Sequence, residues 1–180
     1  MIRKNICFAA LLFVLLFVPS LGAAQNSTPD PWAGWQFLLG TFDAGESSGT
    51  PGSASSGSFT LAQDLNGKVL VRRNHADYPA TQDRPAFTHD DLMVVWHEGG
   101  TAKALYTDSE GHVIHYSVSL SGDGKEIVFL SENGGGPQYR LTYDDLGSGA
   151  VRILFEVAAP GSSGAFAKYI EATVHRKSSS

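Results

Sequence analysis

The sequence predicts an all-β fold: about ten antiparallel strands in an up-and-down barrel, preceded by a short N-terminal helical turn. Three observations predict it. From Ser58 onward, short runs rich in β-branched and aromatic residues alternate with turn signals at regular spacing. Nearly all the connections are short, so successive strands pair antiparallel. No segment carries a sustained 3.6-residue apolar period. Ten strands in meander order leave two open edges, and closure into a barrel removes them. A sandwich is the structural alternative.

The runs are 58–64, 68–77, 91–97, 102–107, 112–120, 126–131, 138–143, 151–158 and 166–176, with a further strand near 35–42. Between them lie Asn66-Gly67, Glu98-Gly99-Gly100, Ser109-Glu110-Gly111, Gly122-Asp123-Gly124 and similar groups. These supply the positive φ that tight hairpins need. Asp30-Pro31 offers a cap and a first-turn proline for a helical start at Trp32. Residues 45–57, rich in Gly and Ser, read as a loop. The stretch 78–90, with Pro79 and Pro85, is the longest mid-chain connection and a candidate lid.

The chain divides into a signal peptide over 1–24, a mature N-terminal tail over 25–31, one barrel domain over 32–177 and a C-terminal tail over 178–180. Arg3 and Lys4 precede an apolar run from Ile6 to Val18, and small or turn-forming residues follow. That run is too short to span a bilayer and reads as a secretory signal. Removing 1–24 takes two of the 13 basic residues, none of the 18 acidic ones and the single cysteine, Cys7. The mature chain then has 156 residues and a net charge of −7. It is expected to be exported, to the periplasm or beyond the cell, and to contain no disulfide and no integral membrane segment. Its acidity argues against nucleic acid as a partner.

Alternation separates two faces. Val151, Ile153, Phe155 and Val157 oppose Arg152 and Glu156. Tyr139, Leu141 and Tyr143 oppose Arg140 and Thr142. Phe59 and Leu61 oppose Ser58 and Thr60, and Ile114, Tyr116, Val118 and Leu120 oppose His115, Ser117 and Ser119. One face is buried and the other is wet.

Certain phrases carry a resemblance. Leu38-Leu39-Gly40-Thr41-Phe42 resembles the opening strand of lipocalin-like (calycin) barrels of the fatty-acid-binding-protein and nitrobindin type. "HDDLMVVW" (89–96), "ALYTDSEGHVIHYSV" (104–118) and "YRLTY" (139–143) resemble an uncharacterised family of bacterial secreted proteins with that barrel. The resemblance implies a ten-stranded barrel with a central cavity and no assigned activity. Nitrobindins bind haem through a histidine near the C-terminus. His175 lies in roughly that region, but its surroundings do not match, so no cofactor is expected.

Candidate binding residues follow from the alternation. Arg73 and His75 share the face of Val69 and Val71; if that face is the interior, a cation and an imidazole point inward. The alternatives are that the register is opposite, which puts Arg72 inside, or that the arginine pairs with a structural acid such as Asp43 or Asp91. An inward guanidinium could grip a carboxylate. Tyr106 beside Ala102 and Ala104 leaves space and a phenol in need of a partner. His112 sits at a rim on the face of Ile114 and Tyr116. His112 and His115 have a metal-ligand spacing on a helix, but on a strand they face opposite sides, so no metal site is expected. His89-Asp90-Asp91 could act as a general base or a weak metal site, but it reads first as a solvated strand start. No His-Glu-x-x-His or phosphate-binding loop is present. The leading expectation is therefore an exported barrel that binds a small, partly apolar molecule, with a carboxylate among the groups it could carry. Arg73, His75, Tyr106, His112 and Tyr116 are the expected ligand contacts. An enzyme using the same cavity and a non-catalytic envelope module are the alternatives.

Overall fold

The computed structural model describes residues 30–44, 54, 56–162 and 164–178. The segment expected to be a signal peptide (1–24), most of the expected 25–31 tail and most of the expected 45–57 loop lie outside the described residues. A 3₁₀ turn (Ala33–Trp35) is followed by ten strands: β1 (Gly40–Ala44), β2 (Ser56–Asp64), β3 (Val69–Tyr78), β4 (Phe87–Glu98), β5 (Thr101–Asp108), β6 (Val113–Leu120), β7 (Glu126–Ser131), β8 (Gln138–Gly147), β9 (Ala150–Ala158) and β10 (Ala167–Arg176). Each pairs antiparallel with its sequence neighbour, and β1 pairs with β10 to close the barrel. The all-β, ten-stranded antiparallel barrel is thus the observed architecture, consistent with a lipocalin-like fold. Among the described residues, no helix is long and apolar enough to cross a membrane.

The strand near 35–42 begins only at Gly40, because the chain from Asp30 first makes a plug. Asp30 Oδ1 accepts from the Trp32 N–H at 2.9 Å, and Trp35 N–H donates to the Trp32 carbonyl at 2.9 Å. Trp32, Trp35 and Leu38 are fully buried. The Trp32 indole N–H donates to the Gly67 carbonyl in the β2–β3 turn at 2.8 Å, and its ring meets His97 at 4.4 Å. Trp35 stands edge-on to Phe129 at 5.9 Å. These contacts seat the plug at the barrel end formed by the β2–β3, β4–β5 and β6–β7 turns. Arg176, at the end of β10, donates to the carbonyls of Gln36, Phe37 and Leu39 and lies over the Phe42 ring. Gly40 is required beside it: its φ is +126°, and a Cβ would collide with the Arg176 guanidinium.

The core sits above this plug. Phe42, Phe59, Leu61, Leu70, Met93, Val95, Tyr116, Ile127, Phe129, Tyr143 and Val151 all point inward and are buried. The alternation expected for β2, β6, β8 and β9 is observed, with departures at Leu120, inward but partly exposed where it packs on Gly34, and at Thr142 and Glu156, outward but buried. On the outer face, ion pairs such as Arg140–Glu156 at 2.6 Å and Arg152–Asp144 at 2.9 Å lace neighbouring strands.

The candidate lid is shorter than expected. β4 starts at Phe87, so only residues 79–86 lie outside strands. The hairpin is prolonged by a cross-strand pair, Tyr78 stacked on Phe87 at 4.5 Å with Arg84 over the Phe87 ring at 4.2 Å.

Trp35→Ala is expected to lower stability by about 3–5 kcal/mol, the usual cost of a large aromatic truncated in a core. Val113→Ala, on the exposed outer face, should stay within about 0.5 kcal/mol. Urea unfolding followed by circular dichroism checks both.

Candidate functional site

The end opposite the plug is a mouth, ringed by the β3–β4, β5–β6, β7–β8 and β9–β10 connections. Several apolar side chains there point inward yet are only partly buried: Tyr106, Ile114, Tyr139, Ile153 and Phe155. Tyr139 stacks on Phe155 at 5.9 Å, and Tyr169 stands edge-on to Phe155 at 6.0 Å. These side chains pack against the core from above and stay accessible at the mouth, whereas the core below them is buried.

Below the mouth sits a buried ion pair. The β2–β3 register places Phe59 opposite Asn74 and Leu61 opposite Arg72. Because Phe59 and Leu61 face inward, so do Arg72 and Asn74. This settles the alternative left open in the sequence: Arg72, and not Arg73, enters the interior. Arg72 Nη1 donates to Asp91 Oδ1 at 2.5 Å, with side-chain exposures of 9% and 4%. Asn74 Nδ2 donates to the other Asp91 oxygen at 3.0 Å. Arg72 also lies over the Phe59 ring, 5.2 Å from its centre. Two donors remain without partners at this depth, Arg72 Nε and the Tyr143 hydroxyl. Tyr143, Tyr106 and Tyr116 surround the guanidinium closely enough to feel its charge. Burial pushes the Tyr116 phenol above its ordinary range.

From this pair a polar chain climbs to the rim. His89 Nδ1 donates to Glu110, 3.0 Å from each oxygen, and Nε2 lies 3.2 Å from the Tyr106 hydroxyl and 3.4 Å from Asp91 Oδ2. The Tyr106 hydroxyl donates to Asp108 Oδ2 at 3.1 Å, so it accepts from His89. Both His89 nitrogens then carry protons. The bond to Asp91, opposed by partial burial and reinforced by Glu110, raises the His89 pKa from 6.5 to about 9. Burial alone would raise the Asp108 carboxyl. The His112 backbone N–H (2.9 Å), its Nδ1 (2.8 Å) and the Tyr106 hydroxyl instead hold it below its ordinary value.

Of the expected contacts, Tyr106, His112 and Tyr116 lie on the inner face as read from the sequence. Tyr106 and His112 meet at Asp108, whereas Tyr116 sits deeper, against Phe129. Arg73 and His75 point outward. They line an open groove of about 560 Å³ on the outer face of β2–β5, with Ser58, Thr60, Asp90, Leu92, Thr107 and Ser109. His75 is an exposed imidazole between Asp90 (2.8 Å) and Asp77 (3.3 Å), and the Asp90 bond raises its pKa. His75 and His89 bracket the β3–β4 connection without meeting, since their faces are opposite. His112 and His115 likewise face opposite sides. His175 is exposed on the outer face, in register with Asp43.

Sequence reasoning missed His89, Asp91 and Glu110 as one inward cluster. The signal was a two-residue period: Phe87, His89, Asp91, Met93 and Val95 on β4, and Tyr106, Asp108, Glu110 and His112 from β5 into the turn. Scanning protein-family models and searching curated proteins finds no match to the chain.

Two outcomes test this geometry. Asp91→Ala should cost about 3–5 kcal/mol by stranding the Arg72 charge, and the double variant Arg72→Met with Asp91→Leu should recover most of that loss. Chemical denaturation of the three proteins decides it. With a chelator present, His89 should titrate near pH 9 by NMR, and Asp91→Asn should move it toward 6.5. The folded value lies above the ordinary one. The stabilisation is therefore complete below pH 6.5 and lost as pH rises through about 9. Urea midpoints measured across that window should fall.

Proposed function

We propose that this protein is an exported barrel that holds a small, partly apolar molecule in the upper half of its interior. One observation carries the reading: Tyr106, Ile114, Tyr139, Ile153 and Phe155 point inward above a sealed base and remain partly accessible. An eight-stranded barrel has room for side chains or one small ligand, and diameter grows with strand number. Ten strands here are filled at the base only with the help of two tryptophans. An apolar wall with a few fixed polar groups is the usual make-up of a ligand pocket.

The polar groups favour a neutral end on the ligand. Arg72 is already paired with Asp91, and Asp108 and Glu110 add negative charge at the rim. A full carboxylate would meet that field. A carbonyl or hydroxyl oxygen could accept from Arg72 Nε or Tyr143, two of the three buried donors without a hydrogen-bond partner among the described residues. The contacts proposed for the interior are thus Arg72, Tyr106, Tyr116, His112 and Tyr143. Arg73 and His75, named from the sequence, belong to the outer groove, and a carboxylate bound there would meet Arg73. The aromatic lip of Tyr139, Phe155 and Tyr169 suits a flat apolar body.

Titration with the neutral fluorophore N-phenyl-1-naphthylamine should give saturable, one-to-one enhancement, and Ile114→Trp should abolish it by filling the upper interior. Enhancement that never saturates, or that Ile114→Trp leaves unchanged in a folded protein, would overturn the reading. Export rests on the sequence. Protein recovered from the cell envelope or medium should begin at Gln25 by intact mass; a chain still carrying residues 1–24 would contradict it.

A further inference from the structure

We infer that the rim of the barrel holds a divalent transition-metal ion, bound by His89, Asp108 and Glu110 with His112 alongside. The site borders the proposed interior ligand, sharing Tyr106 and His112 with it, but does not depend on it.

Four features support it. First, donor atoms converge: one ligand atom each from His89, Asp108 and Glu110 lies within 4.8 Å of the others. A tetrahedral shell with bonds of about 2.0–2.2 Å sets its donors roughly 3.3–3.6 Å apart. His89 Nδ1 already stands 3.0 Å from Glu110, and His112 Nδ1 stands 2.8 Å from Asp108 Oδ2. Ligation through His89 Nδ1 displaces the proton it gives to Glu110, so binding releases a proton to solvent. Second, the fold delivers them by design of the strand period. His89 comes from β4, while Asp108, Glu110 and His112 alternate from β5 into the following turn. Third, the charge calls for a cation. The Asp108 side chain is only 3% exposed and, among the described residues, pairs with no lysine or arginine. The other buried carboxylate below it, Asp91, has Arg72. The counter-charges of Asp108 are the titratable imidazoles of His112 and His89, which a bound cation can replace.

Fourth, the supporting shell is already in place. The His89 nitrogen turned away from Glu110 faces the Tyr106 hydroxyl at 3.2 Å and Asp91 at 3.4 Å. A ligating histidine ordinarily gives its second N–H to such a carboxylate, which fixes the ring and strengthens it as a ligand. Tyr106 also fixes Asp108. The mixture of imidazole and carboxylate donors suits zinc or manganese better than calcium, which takes oxygen alone, or copper(I), which prefers sulfur.

The test is calorimetric titration of the chelator-treated full chain with zinc chloride at neutral pH, with cobalt(II) absorption as a second readout. One site of roughly micromolar or tighter affinity is expected, and zinc should raise the melting temperature. Glu110→Gln and His89→Gln should each weaken binding at least about 10-fold, and Asp91→Asn, one shell out, by about 10- to 100-fold. Glu110 is 42% exposed on a turn, so its variant is expected to fold even if His89→Gln does not. No saturable binding up to about 1 mM zinc would overturn the inference. So would binding that Glu110→Gln leaves unchanged, since the ion would then sit elsewhere. Loss of the interior fluorophore site with zinc binding intact would count against the ligand reading alone.

Discussion

The charge on Arg72 organises the barrel interior. A guanidinium cannot lose its protons at any ordinary pH, so once the β2–β3 register turns it inward it must be matched where it lies. Asp91 matches it, and that fixes what surrounds Asp91: Asn74 on the second oxygen, then His89, then the Tyr106–Asp108–Glu110 chain that ends at the rim. Below the pair, the interior is aromatic and aliphatic down to Trp35. Above it, one wall is polar and the other is the aromatic lip of Tyr139, Phe155 and Tyr169. The ion pair is thus the boundary between a packed lower half and an accessible upper half. Its desolvation cost is offset by the two neighbours that complete the carboxylate's hydrogen bonds.

The lower half supplies the stability. No cysteine lies among the described residues, so closure and burial must do what a disulfide does in many exported domains. Closure depends on a short β1, and β1 is positioned by its two flanks. The plug holds its start through Gly40, and Arg176 ties the same backbone to the end of β10. A single residue thereby links the helical turn, the first strand and the last.

Much of this was legible in the chain. Strand order, hairpin turns and the inward faces of β2, β6, β8 and β9 follow from alternation, because polar residues mark the outer face clearly there. β3 and β4 resisted that reading, since Val69-Leu70-Val71 and Leu92-Met93-Val94-Val95 are apolar on both faces. Alternation then carries no phase, and Arg72 and Arg73 cannot be told apart from their own strand. The phase was nevertheless available from the neighbour: the turn at Asn66-Gly67 sets Phe59 opposite Asn74, and Phe59 is unambiguously inward. The rim cluster was harder to see. Its members come from β4, β5 and the β5–β6 turn, and only the cross-strand register brings His89 to Glu110. His75 looked equally promising by composition and fell on the outer face for the same reason as Arg73.

Ligand binding requires that the upper interior be open to molecules from the mouth. Single-cysteine labelling measures this directly, with Cys7 replaced by serine so that each introduced thiol is the only one. Thiols placed at Ile114 and Ile153 should react with a soluble maleimide in the folded protein, while one placed at Val95, buried toward the base, should react only after unfolding. Equal protection at all three positions would show a solid core, and would contradict the central claim.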